Sequence, residues 1–426
     1  MNYPPIKMED VKNLPEEFSG YNILCCQKKH KLVNCSPGPT QLPHAVLDNL
    51  KKDMFIPEAE FSYGITPLEM SHRCPEFSEI LKNVNKKLRS FMKIPDDFTI
   101  LWTRGGGHGQ FAAVPLNLKN LENVNGKYIV TGSWSSRAYN EAKKFINTTC
   151  TQKHHDKIPL QFTDIPDTIE INDKDTYVYL CSNETINGTE FREDGVPYPS
   201  REENSTALLI VDMSSDFGMK VIPWEKLDVA FACTSKNFGV AGANITIVRK
   251  SVLERIKDQN SVENNIPSVL DWNLYDSTES LYNTPAIFNI YLIEKVLDHY
   301  IQLGGIESIE YQSKEKARLI YNVLENCSIY SPLISDPKIQ SNINIPFLVG
   351  NGEDVIRSKF LAYCYQQNIV GLRTKTPFQY SDFNMTEPLR ISLYNGISIE
   401  DTLHICNTMI TFENMIINDN CKKTKP

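Results

Sequence analysis

Six short apolar runs separated by helical stretches constrain the fold of this chain more than any other feature of its sequence. The runs are Phe98–Trp102, Tyr128–Thr131, Tyr177–Cys181, Ala207–Val211, Val229–Cys233 and, after a glycine-bearing turn, Ala243–Val248. Short apolar runs bounded by Gly, Asn and Ser read as strands. Helical patterns such as Gly109–Leu118 and Ser136–Phe145 lie between them. Parallel strands need a crossover and a helix supplies it, so the alternation predicts an α/β fold: a mostly parallel central sheet flanked by helices on both faces.

After about Pro285 the pattern changes to longer amphipathic helices, Ile287–Leu303 and, past the Gly304-Gly305 break, Gly305–Asn326. A strand pattern at Ile343–Phe347 and a helix at Asp354–Gln367 follow. This predicts a smaller C-terminal α/β domain. A length of 426 residues suits about two to three domains. The expected division is a polar, irregular N-terminal extension over residues 1–32, a large domain over 33–300 and a small domain over 301–426. The first residues of the large domain are candidates for joining the small one.

Composition narrows the function. The formal net charge of −8 argues against a general nucleic-acid surface, so any anionic ligand must meet a few concentrated Arg and Lys residues. No apolar run approaches the ~20 residues that span a bilayer. The opening MNYPPIKMEDVKNLPEEF has no apolar core of a secretory signal and no Arg-rich, acid-poor presequence character, which makes the cytoplasm the expected compartment. The 11 cysteines are odd in number and lack C-x-x-C spacing, so they read as free thiols in a reducing environment. His154-His155 reads as solvated surface, and no metal is expected.

Polar and aromatic residues gather where the strands end. Gly105-Gly106-Gly107-His108-Gly109 follows the first run and opens a helix, where exposed N–H groups and the helix dipole favour a phosphate. A glycine turn with no ligand fits that segment equally well. Trp134 follows the second run and Asn183-Glu184-Thr185 the third; Asp212 ends the fourth, and Lys236 follows the fifth. In a parallel sheet these ends share the carboxyl edge, where α/β folds bind ligands. A lysine for a Schiff base, a carboxylate for a pyridinium nitrogen and an aromatic face for a planar ring are what pyridoxal chemistry requires.

Motifs in order then carry a specific resemblance. Asn34-Cys35-Ser36-Pro37-Gly38-Pro39, Glu69-Met70-Ser71-His72-Arg73, Gly105–Phe111 with Val114–Leu118 and Thr131-Gly132-Ser133-Trp134 come first. Asn183-Glu184-Thr185, Asp212-Met213-Ser214-Ser215, Lys236-Asn237, Asn283-Thr284-Pro285 and Arg390–Asn395 follow. From about Val33 to Phe412 the chain resembles the phosphoserine aminotransferases, a branch of the fold-type-I pyridoxal-phosphate enzymes.

The resemblance implies a transamination between phosphoserine and 2-oxoglutarate in serine biosynthesis, with pyridoxal 5'-phosphate as cofactor and a homodimer that shares its active sites. By the same resemblance Lys236 would carry the cofactor, Asp212 would pair with its ring nitrogen, Trp134 would stack on it and Thr185 would bond its phenolic oxygen. Gly107, His108 and Ser235 would meet its phosphate, joined by Asn283 and Thr284 from the other subunit. Arg390 would grip the substrate carboxylate, while Arg73 and its neighbour His72 would reach the substrate's acidic groups.

Two departures bear on substrate. Ser235 stands where the family usually has glutamine. The family's Gly-His-Arg segment is replaced by Thr374-Lys375-Thr376 after Gly371-Leu372-Arg373, with a polar insertion before Arg390. Arg373 and Lys375 become the nearest substitutes for a phosphate ligand. Three readings stay open: phosphoserine transamination, the same chemistry on a non-phosphorylated oxo acid, and a non-catalytic dimeric paralogue.

Overall fold

The computed structural model describes residues 32–55, 65–121, 124–151, 165–166, 168–259, 265–350, 353–373 and 387–423. The N-terminal extension up to residue 31, His154-His155 and Lys375 lie outside them.

A two-residue strand β1 (Val33–Asn34) opens the described chain, followed by helices α1 (His44–Phe55) and α2 (Pro75–Met92). Proline at the start of α2 costs nothing, because the first N–H groups of a helix have no intrahelical acceptor. Phe77, Ile80, Leu81, Val84, Leu88 and Phe91 recur at helical spacing and are all buried.

Seven strands then form the central sheet: β2 (Phe98–Thr103), β3 (Asn125–Ile129), β4 (Asn147–Cys150), β5 (Tyr177–Cys181), and, past the short hairpin β6 (Asn183–Glu184) and β7 (Thr189–Glu190), β8 (Leu208–Asp212), β9 (Val229–Cys233) and β10 (Asn244–Arg249). Their order is β2-β10-β9-β8-β5-β3-β4, and only β10 runs antiparallel to its neighbours. Helices α3 (Gly106–Leu118) and α4 (Ser133–Ala142) return the chain between the first of these strands.

Both faces of the sheet are covered. Val178, Leu180, Leu209, Val211, Ala230 and Ala232 point into one apolar cluster, while Tyr177, Tyr179, Leu208, Ile210, Val229 and Phe231 point into another. That period of two on fully buried strands is what a helix-covered parallel sheet demands.

The strands expected at Tyr177–Cys181 and Val229–Cys233 form with those bounds, and the others move by a residue at either end, with one exception. The expected Tyr128–Thr131 is displaced to Asn125–Ile129, because pairing with β4 and β5 uses the backbone of polar Asn125, Gly126 and Lys127. Polar β4 at the sheet edge carried no apolar signal.

Helices α5 (Lys250–Gln259), α6 (Trp272–Ser277), α7 (Ile287–Gln302) and α8 (Gly305–Asn326) lead to a second, smaller layer. There β11 (Tyr330–Pro332), β12 (Asn344–Val349) and β14 (Leu389–Ser392) make an antiparallel sheet, with α9 (Asp354–Gln366) and, after β13 (Ile369–Val370), α10 (Ile399–Lys423) packed on it. Val33 and Cys35 belong to this layer's apolar cluster, because β1 pairs in parallel with β13. Helix α8 serves both layers: Ile306 and Ile309 join the large cluster, Ala317 to Leu324 the small one. Among the described residues no helix is long and apolar enough to cross a membrane.

Candidate active site

The carboxyl edge of the sheet brings the ends of β2, β3, β5, β8 and β9 together, and the groups they carry come into contact. Asp212, the last residue of β8, is buried; its Oδ1 accepts from the Ser214 N–H at 2.9 Å and its Oδ2 from the Tyr179 hydroxyl at 3.5 Å. Burial pushes the Asp212 pKa up, opposed by the bonds from Ser214 and by the charge of Lys236.

Lys236 lies in the turn after β9 with its Nζ 5.8 Å from the centroid of the Trp134 ring. Burial lowers the pKa of its ammonium, but Tyr394, Cys233 and Asp212 around it outweigh burial and hold it above the ordinary lysine value. The turn is pinned from several sides. Thr40 Oγ1 donates to the Lys236 carbonyl, and the Thr40 N–H donates to Ser235 O at 3.1 Å. Asn237 donates to Ser215 O and Phe217 O, each at 3.1 Å, and its Oδ1 accepts from the Asn395 N–H at 3.3 Å. Gly38 lies against the lysine stem: a Cβ there would stand 3.6 Å from Lys236 Cγ, and its φ of 140° is one that glycine takes without strain.

Trp134 lies in the first turn of α4. Its indole N–H donates to Thr185 Oγ1 at 2.8 Å, and its ring stands 5.9 Å from that of His108, nearly edge-on. Thr185 in turn accepts at its carbonyl from Arg390 Nη1 at 2.5 Å. Arg390, buried on β14, thereby reaches the large-layer site, and it shares one cleft with Arg373, Ser36, Pro37 and Gly38.

Two helices point their N-termini at this edge, and they differ. At α4 the first donors are taken: Ser133 N–H by Asn187 Oδ1, Trp134 N–H and Ser135 N–H by the Glu184 carboxylate. At α3 the N–H groups of Gly106, Gly107 and His108 have no partner among the described contacts, as the first turn of a helix leaves them. Gly107 sits beside the end of β8, where a Cβ on it would stand 3.8 Å from Ser214 Oγ. Of the two helices, α3 is therefore the one whose first N–H groups are open to an anion.

The remaining expected residues stand apart. Ser235 turns its hydroxyl to Cys233 Sγ at 3.6 Å. Arg73 and Thr284 are exposed, His72 and Asn283 half-buried, and within the single chain no described contact joins any of them to Lys236, Asp212 or Trp134. Thr40, Asn237 and Tyr394 carry no local sequence signal for a role here, because what they do is set by partners up to 357 positions away rather than by neighbours. Tyr394 donates to Pro37 O at 3.1 Å, closing the small layer over the Gly38 segment. The eight cysteines with described side chains are free thiols, and among the described residues no cluster of three His, Cys, Asp or Glu is arranged to hold a metal.

Comparison with known proteins shows the family to which the chain belongs. The family model for aminotransferase class-V matches residues 32–403. Phosphoserine aminotransferase 2, chloroplastic, of Arabidopsis thaliana is 32% identical over 396 residues, covering 91% of this chain and 87% of that protein. A probable phosphoserine aminotransferase of Caenorhabditis elegans is 33% identical over 389 residues, covering 90% and 97%. Among solved structures, a pyridoxal-phosphate-bound phosphoserine aminotransferase from Trichomonas vaginalis superposes with a TM-score of 0.77 at 29% identity, covering 89% of this chain and 99% of that one.

Proposed function

Because the chain belongs to the phosphoserine aminotransferase family of class-V aminotransferases, we propose that it interconverts 3-phosphohydroxypyruvate plus glutamate with O-phosphoserine plus 2-oxoglutarate, as a pyridoxal-phosphate-dependent step of serine biosynthesis. The observation that carries the reading is the convergence of Lys236, Asp212, Trp134 and the open N-terminus of α3 at one sheet edge, a set the fold itself does not need.

The residues fit pyridoxal phosphate group by group. The N–H groups at the start of α3 suit its phosphate, and the Trp134 face suits its ring. Buried Asp212, with one Oδ holding only a long bond from Tyr179, suits the ring nitrogen. Thr185 accepts from Trp134 and keeps its own hydroxyl proton to donate to the phenolic oxygen. When bound, the cofactor supplies an electron sink for the charge left on the substrate's Cα.

The chain's own groups do the rest. Lys236 Nζ would hold the cofactor and, as a free amine, would be the base that takes the substrate Cα proton and returns it. Asp212 would keep a proton on the ring nitrogen. Arg390 binds the substrate α-carboxylate with its planar, permanently charged fork. The altered segment after Arg373 favours a second reading, in which the same chemistry serves a non-phosphorylated oxo acid.

We read the chain as a homodimer. Exposed Arg73 and Thr284, with Asn283, suit a role in the partner's site, where Asn283 and Thr284 would meet the cofactor phosphate and His72 and Arg73 the substrate. The compartment we propose is the cytoplasm, and the domain division follows the two apolar layers, with Val33 and Cys35 in the smaller. A transamination assay with glutamate against a panel of oxo acids tests the function. Preference for 3-phosphohydroxypyruvate is expected; indifference to the phosphate would select the second reading.

A further inference from the structure

Glu184 takes no part in the chemistry above, yet it is an ionisable side chain with no exposure to solvent. Its Oε2 accepts from the Trp134 backbone N–H at 2.9 Å. Its Oε1 accepts from the Ser135 N–H at 2.8 Å and from the Ser135 hydroxyl at 2.6 Å. The lone pairs of that hydroxyl are themselves occupied, by the N–H groups of Thr131 at 3.0 Å and Gly132 at 3.1 Å. Burial, with the nearby charge of Asp212, holds the Glu184 pKa above the ordinary carboxylate value, and its bonds from Ser135 and Trp134 pull against that rise. Both oxygens act as acceptors at the positive end of a helix, an arrangement that stabilises the ionised carboxylate.

Gly132 makes room for this cap. A Cβ there would stand 2.5 Å from Glu184 Cδ and 2.6 Å from Asn187 Oδ1, so any side chain at 132 would displace the carboxylate. The residue after Glu184 holds the other end of the same tryptophan, since Thr185 Oγ1 accepts from the Trp134 indole at 2.8 Å.

We propose that Glu184 is a positioning residue that, together with Thr185, clamps Trp134 at its backbone and its indole at once and so fixes the plane on which the cofactor ring stacks. A tryptophan bonded only through its indole can still pivot with the first turn of α4; two attachments from one dipeptide remove that freedom before the cofactor arrives, which strengthens its binding. The inference rests on Trp134 being the cofactor's aromatic face.

Glu184→Gln keeps the shape but sets an amide NH2 against the N–H donors of Trp134 or Ser135. In the variant, residues 131–136 should exchange backbone hydrogens faster than in wild type. The dissociation constant for pyridoxal phosphate should rise roughly tenfold, and the induced circular dichroism of the bound cofactor should change. Ser135→Ala, a gentler change that removes one bond to the same carboxylate, should shift all three in the same direction by less. A purely structural role would lower the melting temperature of the cofactor-free variants and leave cofactor affinity and dichroism at wild-type values, which would overturn the proposal. Failure of the site assignment has a different signature: wild-type protein that takes up no pyridoxal phosphate, which would remove the clamp's purpose with it.

Discussion

The indole N–H of Trp134 donates to the Thr185 hydroxyl at 2.8 Å. Because the Thr185 carbonyl also accepts from Arg390, one residue couples the aromatic face of the site to the guanidinium proposed to hold substrate. Thr185→Val keeps the volume and removes the hydroxyl. A lost hydrogen bond of about 1 kcal/mol weakens binding roughly fivefold, so the variant should bind pyridoxal phosphate several-fold more weakly while Thr185→Ser stays near wild type. Titration of the cofactor into the three proteins measures this. Equal affinity in all three would show that the hydroxyl contributes nothing to the site.

Arg373 is exposed and lines the same cleft as Arg390. It is expected to replace the histidine–arginine pair that the family places in this segment. A charge-assisted bond is worth about 1.5–3 kcal/mol, so Arg373→Ala should lower kcat/KM on phosphoserine roughly tenfold or more. Activity on a non-phosphorylated analogue should be nearly unchanged. Equal loss on both substrates would assign Arg373 to general binding or folding, and no loss on either would place phosphate recognition elsewhere.

Lys316 gives a pH-dependent test of how the smaller layer is held. Its ammonium is buried and donates to the carbonyls of Leu393 at 2.9 Å, Tyr394 at 3.2 Å and Ile397 at 2.9 Å, tying down the turn after Arg390. Burial pulls its pKa from the ordinary 10.5 down to about 7, against a smaller upward pull from Asp401. Between those values the unfolded chain keeps a proton that the folded chain has lost, so this group's contribution to stability rises with pH across the window and is flat below it. Denaturant unfolding of wild type and Lys316→Met should therefore diverge in favour of wild type as pH rises from about 7 to about 9. A constant difference would mean that the three carbonyls hold the lysine at its ordinary pKa.

The sheet was legible in the sequence because its strands are buried on both faces and spell uninterrupted apolar runs, as in Leu208–Asp212. Lys236, Asp212 and Trp134 were legible for a related reason: each follows such a run, and parallel strands deliver their ends to one edge. What stayed hidden depends on distant partners. Helix α4 starts at Ser133, before the expected Ser136, because its first N–H groups are capped by Glu184, about 50 positions on. Polar β4 exists only through backbone pairing with β3. Pinning of the Lys236 turn by Thr40 and Asn395 crosses most of the chain and leaves no local pattern. The Arg73 and Asn283 segments were legible only through family resemblance, and one chain alone does not bring them to the edge.

If Lys236 is the covalent seat of the cofactor, borohydride reduction followed by peptide mapping will find it. Purified protein should be yellow, and reduction should fix one pyridoxyl group per chain on the peptide that contains Lys236. Lys236→Ala should take up no reducible label while still binding the cofactor through the α3 N-terminus and Trp134. Label recovered on another lysine, or label retained in full by Lys236→Ala, would place the cofactor's covalent link elsewhere.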